Sequence, residues 1–146
     1  MGNSAQRLSN EAAASVDLSV VVVCMNNRAY LVQCMESLHS ANLRSRFEVV
    51  VVDNGSTDGT QGVLAERFPG VAVVQNSSNV GLSRATNQGI ARARARYVLL
   101  LNDDTLVNGP SLDTMVEFLD HHGRVGAVAC FSSGNLIASA NLLLKL

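Results

Sequence analysis

Residues 47–52 read Phe-Glu-Val-Val-Val-Val, and residues 18–24 read Leu-Ser-Val-Val-Val-Val-Cys. Both runs consist mainly of β-branched residues and lack the alternation of apolar and polar residues that marks a half-exposed strand. Strands that are apolar on both faces fit the interior of a parallel sheet, where helices cover both sides. Three shorter runs of this kind follow at residues 71–74, 97–101 and 125–129. The sequence therefore predicts five buried parallel strands.

Helical patterns separate these runs. In the last of them, Leu112, Met115, Val116 and Leu119 recur at intervals of three and four residues, and Pro110 stands in the first turn. Helices that alternate with strands cross over from one parallel strand to the next. The fold class predicted from this order is α/β, a mostly parallel open sheet with helices on both faces.

The composition indicates one folded domain without a charged binding surface. Of the 146 residues 47% are hydrophobic and 16% are charged, and 11 basic against 12 acidic residues give a net charge of −1. This balance excludes a disordered chain and provides no basic surface for nucleic acid. The apolar run at residues 20–25 is far shorter than the ~20 residues of a membrane span, and no secretory signal is present. We expect a cytoplasmic protein.

The pattern divides the chain into three segments. Residues 1–17 are small and polar, and we expect them to form a loose N-terminal tail. Residues 18–130 contain all the predicted strands and helices and form the domain. Residues 131–146 end in the apolar stretch Leu-Leu-Leu-Lys-Leu and do not continue the alternating pattern, so we interpret them as an atypical apolar tail.

Polar residues follow four of the five predicted strands. Asn26 and Asn27 follow the first strand, residues 53–59 the second, residues 76–81 the third and residues 102–105 the fourth. The carboxyl ends of parallel strands lie at one edge of a sheet, where α/β proteins bind ligands. We therefore expect these polar groups to converge on one pocket.

Three carboxylates at that edge have specific chemical uses. Asp53 can accept hydrogen bonds from a ribose or a nucleobase, or it can cap its own loop as an Asx-turn. The adjacent Asp103 and Asp104 can bind a hard divalent cation together with phosphate oxygens, or they can form a solvated turn. The residues alone leave both pairs of alternatives open.

Four stretches of this sequence closely resemble family 2 glycosyltransferases of the GT-A fold, particularly the rhamnosyltransferase-like branch. They are residues 20–27 (Val-Val-Val-Val-Cys-Met-Asn-Asn), residues 51–60 (Val-Val-Asp-Asn-Gly-Ser-Thr-Asp-Gly-Thr), residues 79–90 with Asn-Val-Gly and Asn-Gln-Gly-Ile, and residues 100–105 (Leu-Leu-Asn-Asp-Asp-Thr). The resemblance extends from about Leu18 to Val128 and implies an inverting transfer of a sugar from a nucleotide diphosphate donor, of the kind used in cell-envelope polysaccharide biosynthesis.

The resemblance also implies roles for individual residues. Asp53 would bind the nucleotide base or ribose, and Asp104 would bind Mn²⁺ or Mg²⁺. The full set of residues implied to bind the nucleotide sugar is Asn26, Asn27, Asp53, Gly81, Arg84, Asn87, Asn102 and Asp103. The acceptor implied is a saccharide or a lipid-linked molecule, reached by a protein peripheral to the inner face of the membrane.

Two departures from the family pattern affect this hypothesis. Asn102 replaces the first acid of the D-x-D motif, and residues 131–146 do not resemble the acceptor-binding half or its general base. No catalytic base can be nominated, and an incomplete acceptor half predicts exposed apolar surface and self-association. The alternative hypothesis is a non-catalytic nucleotide-binding or interaction module.

Overall fold

The structure, a computed structural model, describes residues 16–130 and 141–145. In chain order these form β1 (Leu18–Cys24), α1 (Arg28–Ser40), β2 (Phe47–Asp53), α2 (Thr60–Arg67), β3 (Ala72–Gln75), α3 (Leu82–Ile90), β4 (Tyr97–Asn102), α4 (Gly109–His121), β5 (Ala127–Cys130) and β6 (Asn141–Lys145). The strands form one sheet in the order β3-β2-β1-β4-β6-β5.

The parallel strands β1, β2 and β4 form the centre of the sheet. Leu18 is paired with Phe47 of β2 on one side and with Tyr97 of β4 on the other. This register places Asp53 beside Cys24, and Asn102 beside the preceding residue of β1. The mostly parallel α/β sheet is confirmed, and the carboxyl ends of these three strands are aligned at one edge, as expected.

Alternate residues of β1 supply the two faces of the core. Val20 and Val22 contact the cluster formed with α1, α2 and α4, whereas Val21 belongs to the opposite face with α3. Complete burial of a valine side chain is worth about 1.5–3 kcal/mol, so an unbroken apolar run is required where helices cover both faces. A β-carbon at Gly89 of α3 would collide with Val21, and this glycine therefore allows α3 to pack directly on β1.

The prediction of five buried parallel strands is wrong at both ends of the sheet. Ala72 and Val73 of β3 are exposed, because β3 is an edge strand paired only with β2. β5 is not parallel to its neighbour: it pairs antiparallel with β6, which is itself antiparallel to β4. β6 comes from the segment interpreted as an apolar tail, and its Leu143 is buried. Most of the predicted N-terminal tail, residues 1–15, and residues 131–140 and 146 lie outside the described residues.

Candidate functional site

The loops after β1 and β2 are hydrogen-bonded to each other at the carboxyl edge of the sheet. The Asn26 side-chain oxygen accepts hydrogen bonds from the backbone N–H of Thr57 at 2.7 Å and from its hydroxyl at 3.4 Å. The backbone N–H of Asn26 donates to the Ser56 hydroxyl at 2.9 Å, and that of Arg28 donates to Asp58 Oδ2 at 2.9 Å. Asn26 has φ +52°, a left-handed conformation that asparagine tolerates. Its side-chain oxygen therefore orders the neighbouring loop.

Asp53 lies at the end of β2 with its side chain completely buried. Its Oδ1 accepts from the backbone N–H of Ser56 at 2.9 Å, and its Oδ2 accepts from Gln75 Nε2 at 3.0 Å. The bond from Ser56, three residues on, is a local side-chain-to-backbone contact that caps this loop, although it is not the Asx-turn itself, in which the bond comes from two residues on. Because a carboxylate offers about four acceptor positions, two remain for a ligand. Gln75 is exposed on β3, so its amide is the group that a ligand would displace to reach Asp53.

The residues after β4 form a second polar group. Asn102 and Asp104 are exposed and Asp103 is half-buried. Burial raises the pKa of Asp103, a hydrogen bond from the Asn27 side chain acts in the opposite direction, and the charge of Asp104 raises it further. The structure therefore brings Asn27 of the β1–α1 loop together with Asp103, although the sequence separates them by more than seventy residues.

The third side of the edge is the β3–α3 loop with the first turn of α3. Gly81 is the N-cap of α3 with φ +87° and ψ 152°, a backbone conformation that is essentially restricted to glycine. Arg84 and Asn87 are exposed on α3. No side-chain partner of Arg84 occurs among residues 16–130 and 141–145. By contrast, five arginines elsewhere are in ion pairs, namely Arg44, Arg46, Arg67, Arg94 and Arg96.

Four side-chain amides form hydrogen bonds at this loop, and the sequence predicts no contact between them. They are Asn54, Asn76, Asn79 and Gln88, here called the carboxamide cluster. Asn76 and Gln88 form a reciprocal pair, in which Asn76 Nδ2 donates to Gln88 Oε1 at 2.9 Å and Gln88 Nε2 donates to Asn76 Oδ1 at 3.0 Å. Asparagine after a strand is usual turn chemistry, so only the position of Gln88 on α3 could have indicated this contact.

Two cavities show where ligand-sized space lies. A cleft of about 230 Å³ between α3 and β6 is lined by Leu82, Thr86, Asn102 and Leu142 among others, and it opens beside the β4 end. A larger groove of about 720 Å³ lies at the opposite edge, around Phe47. The larger groove contains none of the predicted site residues, so volume alone does not identify the site.

The carboxylates of Asp103 and Asp104, which follow β4, are compatible with a divalent metal ion that also binds a phosphate ligand. Within the described part of the chain, no three His, Cys, Asp or Glu side chains are grouped to hold a metal ion. Mg²⁺ is usually bound by one or two carboxylates together with substrate phosphates and water. Asp104 is exposed and adjacent to Asp103, and these two carboxylates can supply that smaller protein share.

The mostly parallel α/β sheet with helices on both faces is the fold of GT-A type glycosyltransferases such as S. aureus TarS. The sequence model described as Glycosyl transferase family 2 matches residues 19–137, and the chain belongs to this family. The predicted resemblance and its fold are thereby confirmed.

Similar proteins include both named relatives and a solved structure. The chain is 29% identical over 122 residues to N-acetylglucosaminyl-diphospho-decaprenol L-rhamnosyltransferase of Mycobacterium tuberculosis, covering 76% of this chain and 39% of that protein. It is 27% identical over 117 residues to minor teichoic acid biosynthesis protein GgaB of Bacillus subtilis, covering 77% and 13%. The crystal structure of S. aureus TarS 1-349 in complex with UDP-GlcNAc has a TM-score of 0.68 and 26% identity, covering 83% and 36%.

The chain spans less than half of the length of the curated relatives it matches. None of the helices in residues 16–130 is long and apolar enough to cross a membrane.

Proposed function

We propose that this chain is the donor-binding part of a glycosyltransferase that moves a sugar from a nucleotide diphosphate to an acceptor with inversion. The observation that carries the proposal is the convergence of three polar groups at one edge of the sheet, around Asp53, around Asp103 and Asp104, and around Gly81. Membership of family 2 and the UDP-GlcNAc held by TarS support a nucleotide sugar as the ligand.

Each group has a role that its position allows. Asp53 accepts hydrogen bonds from the base or ribose at the end of β2, in a pocket that the Asn26 and Asn27 segment lines. Arg84 and Asn87 border the donor from α3. The exposed guanidinium of Arg84 has no ion-pair partner among the residues that the structure describes, and it is therefore available to a phosphate oxygen. Asn102 and Asp103 contact the donor from the end of β4.

Asp104 is the proposed metal ligand, and Asp103 lies beside it. When bound there, Mn²⁺ or Mg²⁺ neutralises charge on the departing diphosphate. The protein contributes a fixed carboxylate pair whose mutual repulsion a cation relieves. Without the cation, two adjacent carboxylates would oppose the approach of an anionic donor.

Inversion requires one direct displacement at the sugar. The acceptor oxygen forms a bond to the anomeric carbon from one side while the bond to the diphosphate oxygen breaks on the other. The acceptor proton passes to a general base. We assign this base to no residue of the chain, because the proposed groups around Asp53 and Asp104 serve the donor.

The acceptor proposed is a saccharide or a lipid-linked molecule of cell-envelope polysaccharide biosynthesis. The names of the decaprenol-dependent relative and of the teichoic acid relative support this class. For a lipid-linked acceptor we propose that the protein works peripherally at the inner, cytoplasmic face of the membrane. Co-sedimentation of the chain with vesicles that contain a polyprenyl diphosphate sugar tests this part of the proposal.

A thermal-shift panel tests the donor site. UDP, dTDP and GDP are each added with and without Mn²⁺ to wild type, to Asp104→Ala and to Glu66→Ala, which removes an exposed carboxylate from α2. A ligand at 100 times its Kd stabilises the folded state by about 2.7 kcal/mol. We expect one nucleotide to raise the melting temperature of wild type and Glu66→Ala only with metal, and to leave Asp104→Ala unchanged. A cooperative melt with no shift for any nucleotide contradicts the proposal.

The second candidate function is a nucleotide-binding or interaction module without catalysis. It requires only the polar edge around Asp53 and Asp103, where no general base has been assigned. Transfer of a radiolabelled sugar to a polyprenyl acceptor by this chain alone would eliminate it.

We further propose self-association through apolar side chains that are exposed near the candidate site. Leu82 at the start of α3 and Leu106 after β4 are each 70% exposed. Exposed leucines of this kind mark contact surfaces when they lie together in a patch. We expect light scattering to show a concentration-dependent rise in mass that Leu82→Ser reduces, whereas a constant monomer mass would remove the argument.

A further inference from the structure

The carboxamide cluster forms a continuous chain of hydrogen bonds with Asn54 at its centre. Asn54 Oδ1 accepts from Asn76 Nδ2 at 3.1 Å and from the backbone N–H of Val80 at 3.0 Å. Asn54 Nδ2 donates to Asn79 Oδ1 at 2.9 Å, and the same Asn79 oxygen accepts from the backbone N–H of Gly81 at 2.8 Å. One side chain therefore fixes three points of the β3–α3 loop.

The cluster also connects two parts of the candidate site. Asn54 directly follows Asp53, and the backbone oxygen of Asp53 accepts from the N–H of Asn76 at 2.9 Å. At its other end the cluster reaches Gly81, which is the N-cap of α3 and precedes Arg84 by three positions. Side-chain amides thus connect the end of β2 to the first turn of α3, in addition to the apolar packing of α3 on β1 and β2.

Burial makes these bonds consequential. Asn54 is 4% exposed and Asn76 is 8% exposed, so water cannot replace a lost partner without entering the structure. A buried amide without its partner is strongly disfavoured, and the loop therefore has one well-defined arrangement while the cluster is complete. Both acceptor positions of Asn54 Oδ1 are occupied within the cluster, so this oxygen is not available to a donor that lies on the edge.

We propose that Asn54 is a positioning residue of the donor site, which holds residues 79–81 and the start of α3 in the arrangement that binds the nucleotide diphosphate. The inference rests on the proposed function, because it names a residue that acts on that site through the β3–α3 loop. The fixed loop removes an ordering cost that binding would otherwise have to overcome. If the competent arrangement is populated to one-tenth in a variant, the apparent affinity falls tenfold.

The variants compared are Asn54→Ala, Asn79→Ala and the control Ser77→Ala. Asn54→Ala removes the centre of the cluster, whereas Asn79→Ala removes an exposed member and remains informative if the first variant does not fold. Ser77 is an exposed residue of the same loop, and its side chain makes none of the cluster's bonds. All three changes are neutral in charge, so an effect on affinity cannot arise from altered electrostatics.

Two measurements are made on each folded variant. The first is amide hydrogen exchange at Gly81, whose N–H is bonded to Asn79 and not to Asn54. The second is the Kd at 25 °C for UDP, dTDP and GDP with Mg²⁺. We expect Asn54→Ala to speed exchange at Gly81 and to weaken the best nucleotide about tenfold (1.4 kcal/mol), with Asn79→Ala similar and Ser77→Ala equal to wild type.

The outcomes separate this proposal from the one on which it rests. If wild type binds a nucleotide and both variants bind it equally well, the positioning role is refuted while the proposed function stands. Unchanged exchange at Gly81 in Asn54→Ala also refutes it. If wild type binds none of the three nucleotides, the proposed function fails first and the positioning role falls with it. A structural role alone would lower the melting temperature of Asn54→Ala without moving the Kd.

Discussion

Replacement of Gly55 by alanine tests how closely the two loops beneath the candidate site are packed. Gly55 has φ +88°, and a β-carbon added there would lie 2.7 Å from Ser78 Cα and 2.8 Å from the Ser78 carbonyl carbon. Both neighbours are backbone atoms, so they can retreat only if the β3–α3 loop moves away from the β2–α2 loop. The substitution therefore combines a left-handed backbone with a steric clash.

Two other glycines provide matched controls. Gly59 has φ +84°, but the atom nearest to its added β-carbon is the tip of Arg28 at 3.0 Å, which can swing away. Gly62 lies in α2 with no atom within 4 Å of its added β-carbon. Alanine costs about 1–2 kcal/mol in the left-handed region, overpacking costs a further ~1–3 kcal/mol, and alanine gains about 0.5–1 kcal/mol over glycine inside a helix.

Urea unfolding measures these differences in the free energy of unfolding as shifts of the midpoint urea concentration, provided that the dependence of the free energy on urea concentration (the m-value) stays constant. We expect Gly55→Ala to lose about 3 kcal/mol of the free energy of unfolding, Gly59→Ala about 1 kcal/mol, and Gly62→Ala to gain up to about 1 kcal/mol. Equal losses at Gly55 and Gly59, within about 0.5 kcal/mol, would refute the backbone contact between the loops. A large loss at Gly62 would show that α2 is misplaced.

The remaining predictions concern titratable groups that are not themselves proposed to contact the donor. Burial opposes ionisation of Glu48, but its hydrogen bonds with Arg94 outweigh this and hold the pKa of Glu48 below its usual 4.5. A lowered pKa stabilises the fold above pH 4.5, and this stabilisation disappears as the pH falls through the folded-state pKa. We therefore expect the free energy of unfolding in urea, followed by fluorescence or circular dichroism, to depend less on pH between pH 5 and 3 in Glu48→Gln than in wild type. An unchanged pH dependence would contradict the ion pair. Burial raises the pKa of the Cys24 and Cys34 thiols to about 12. In Cys130→Ser protein, where these two are the remaining thiols, we expect a chromogenic disulfide reagent to react at least about 100-fold more slowly with the native chain than with the urea-unfolded chain. Rapid labelling of the native chain would refute the burial of Cys24 and Cys34.

The central strands were predictable because their buried environment determines the residue types of the strand itself. Val20, Val21 and Val22 face helices on both sides, and only apolar residues satisfy both faces at once. The sequence at residues 71–74 has the same character, yet β3 is an exposed edge. Position within a sheet depends on which strand each crossover returns to, and the valines of a short strand are equally compatible with either place.

The direction of β5 and β6 depends on contacts that no local pattern specifies. The leucines at residues 142–144 are equally compatible with a parallel and with an antiparallel buried strand. The antiparallel direction of β6 becomes apparent only from its pairing with β4. The strand-end rule brought Asp53 and Asp103 to one edge correctly. It placed Asn54 at the same edge but predicted none of its side-chain partners, and it did not include Gln88. The partner of a side-chain amide is decided by which residues approach it in three dimensions and not by sequence spacing.

The most direct test of the donor site is a map of where a nucleotide binds. Backbone amide resonances of the ¹⁵N-labelled chain are followed while UDP, dTDP or GDP is added with Mg²⁺. We predict that the largest shifts fall in residues 26–28, 53–59, 76–84 and 102–105, and that Asp104→Ala abolishes them. Shifts concentrated instead around Phe47 and Phe68, in the larger groove at the opposite edge, would contradict the account.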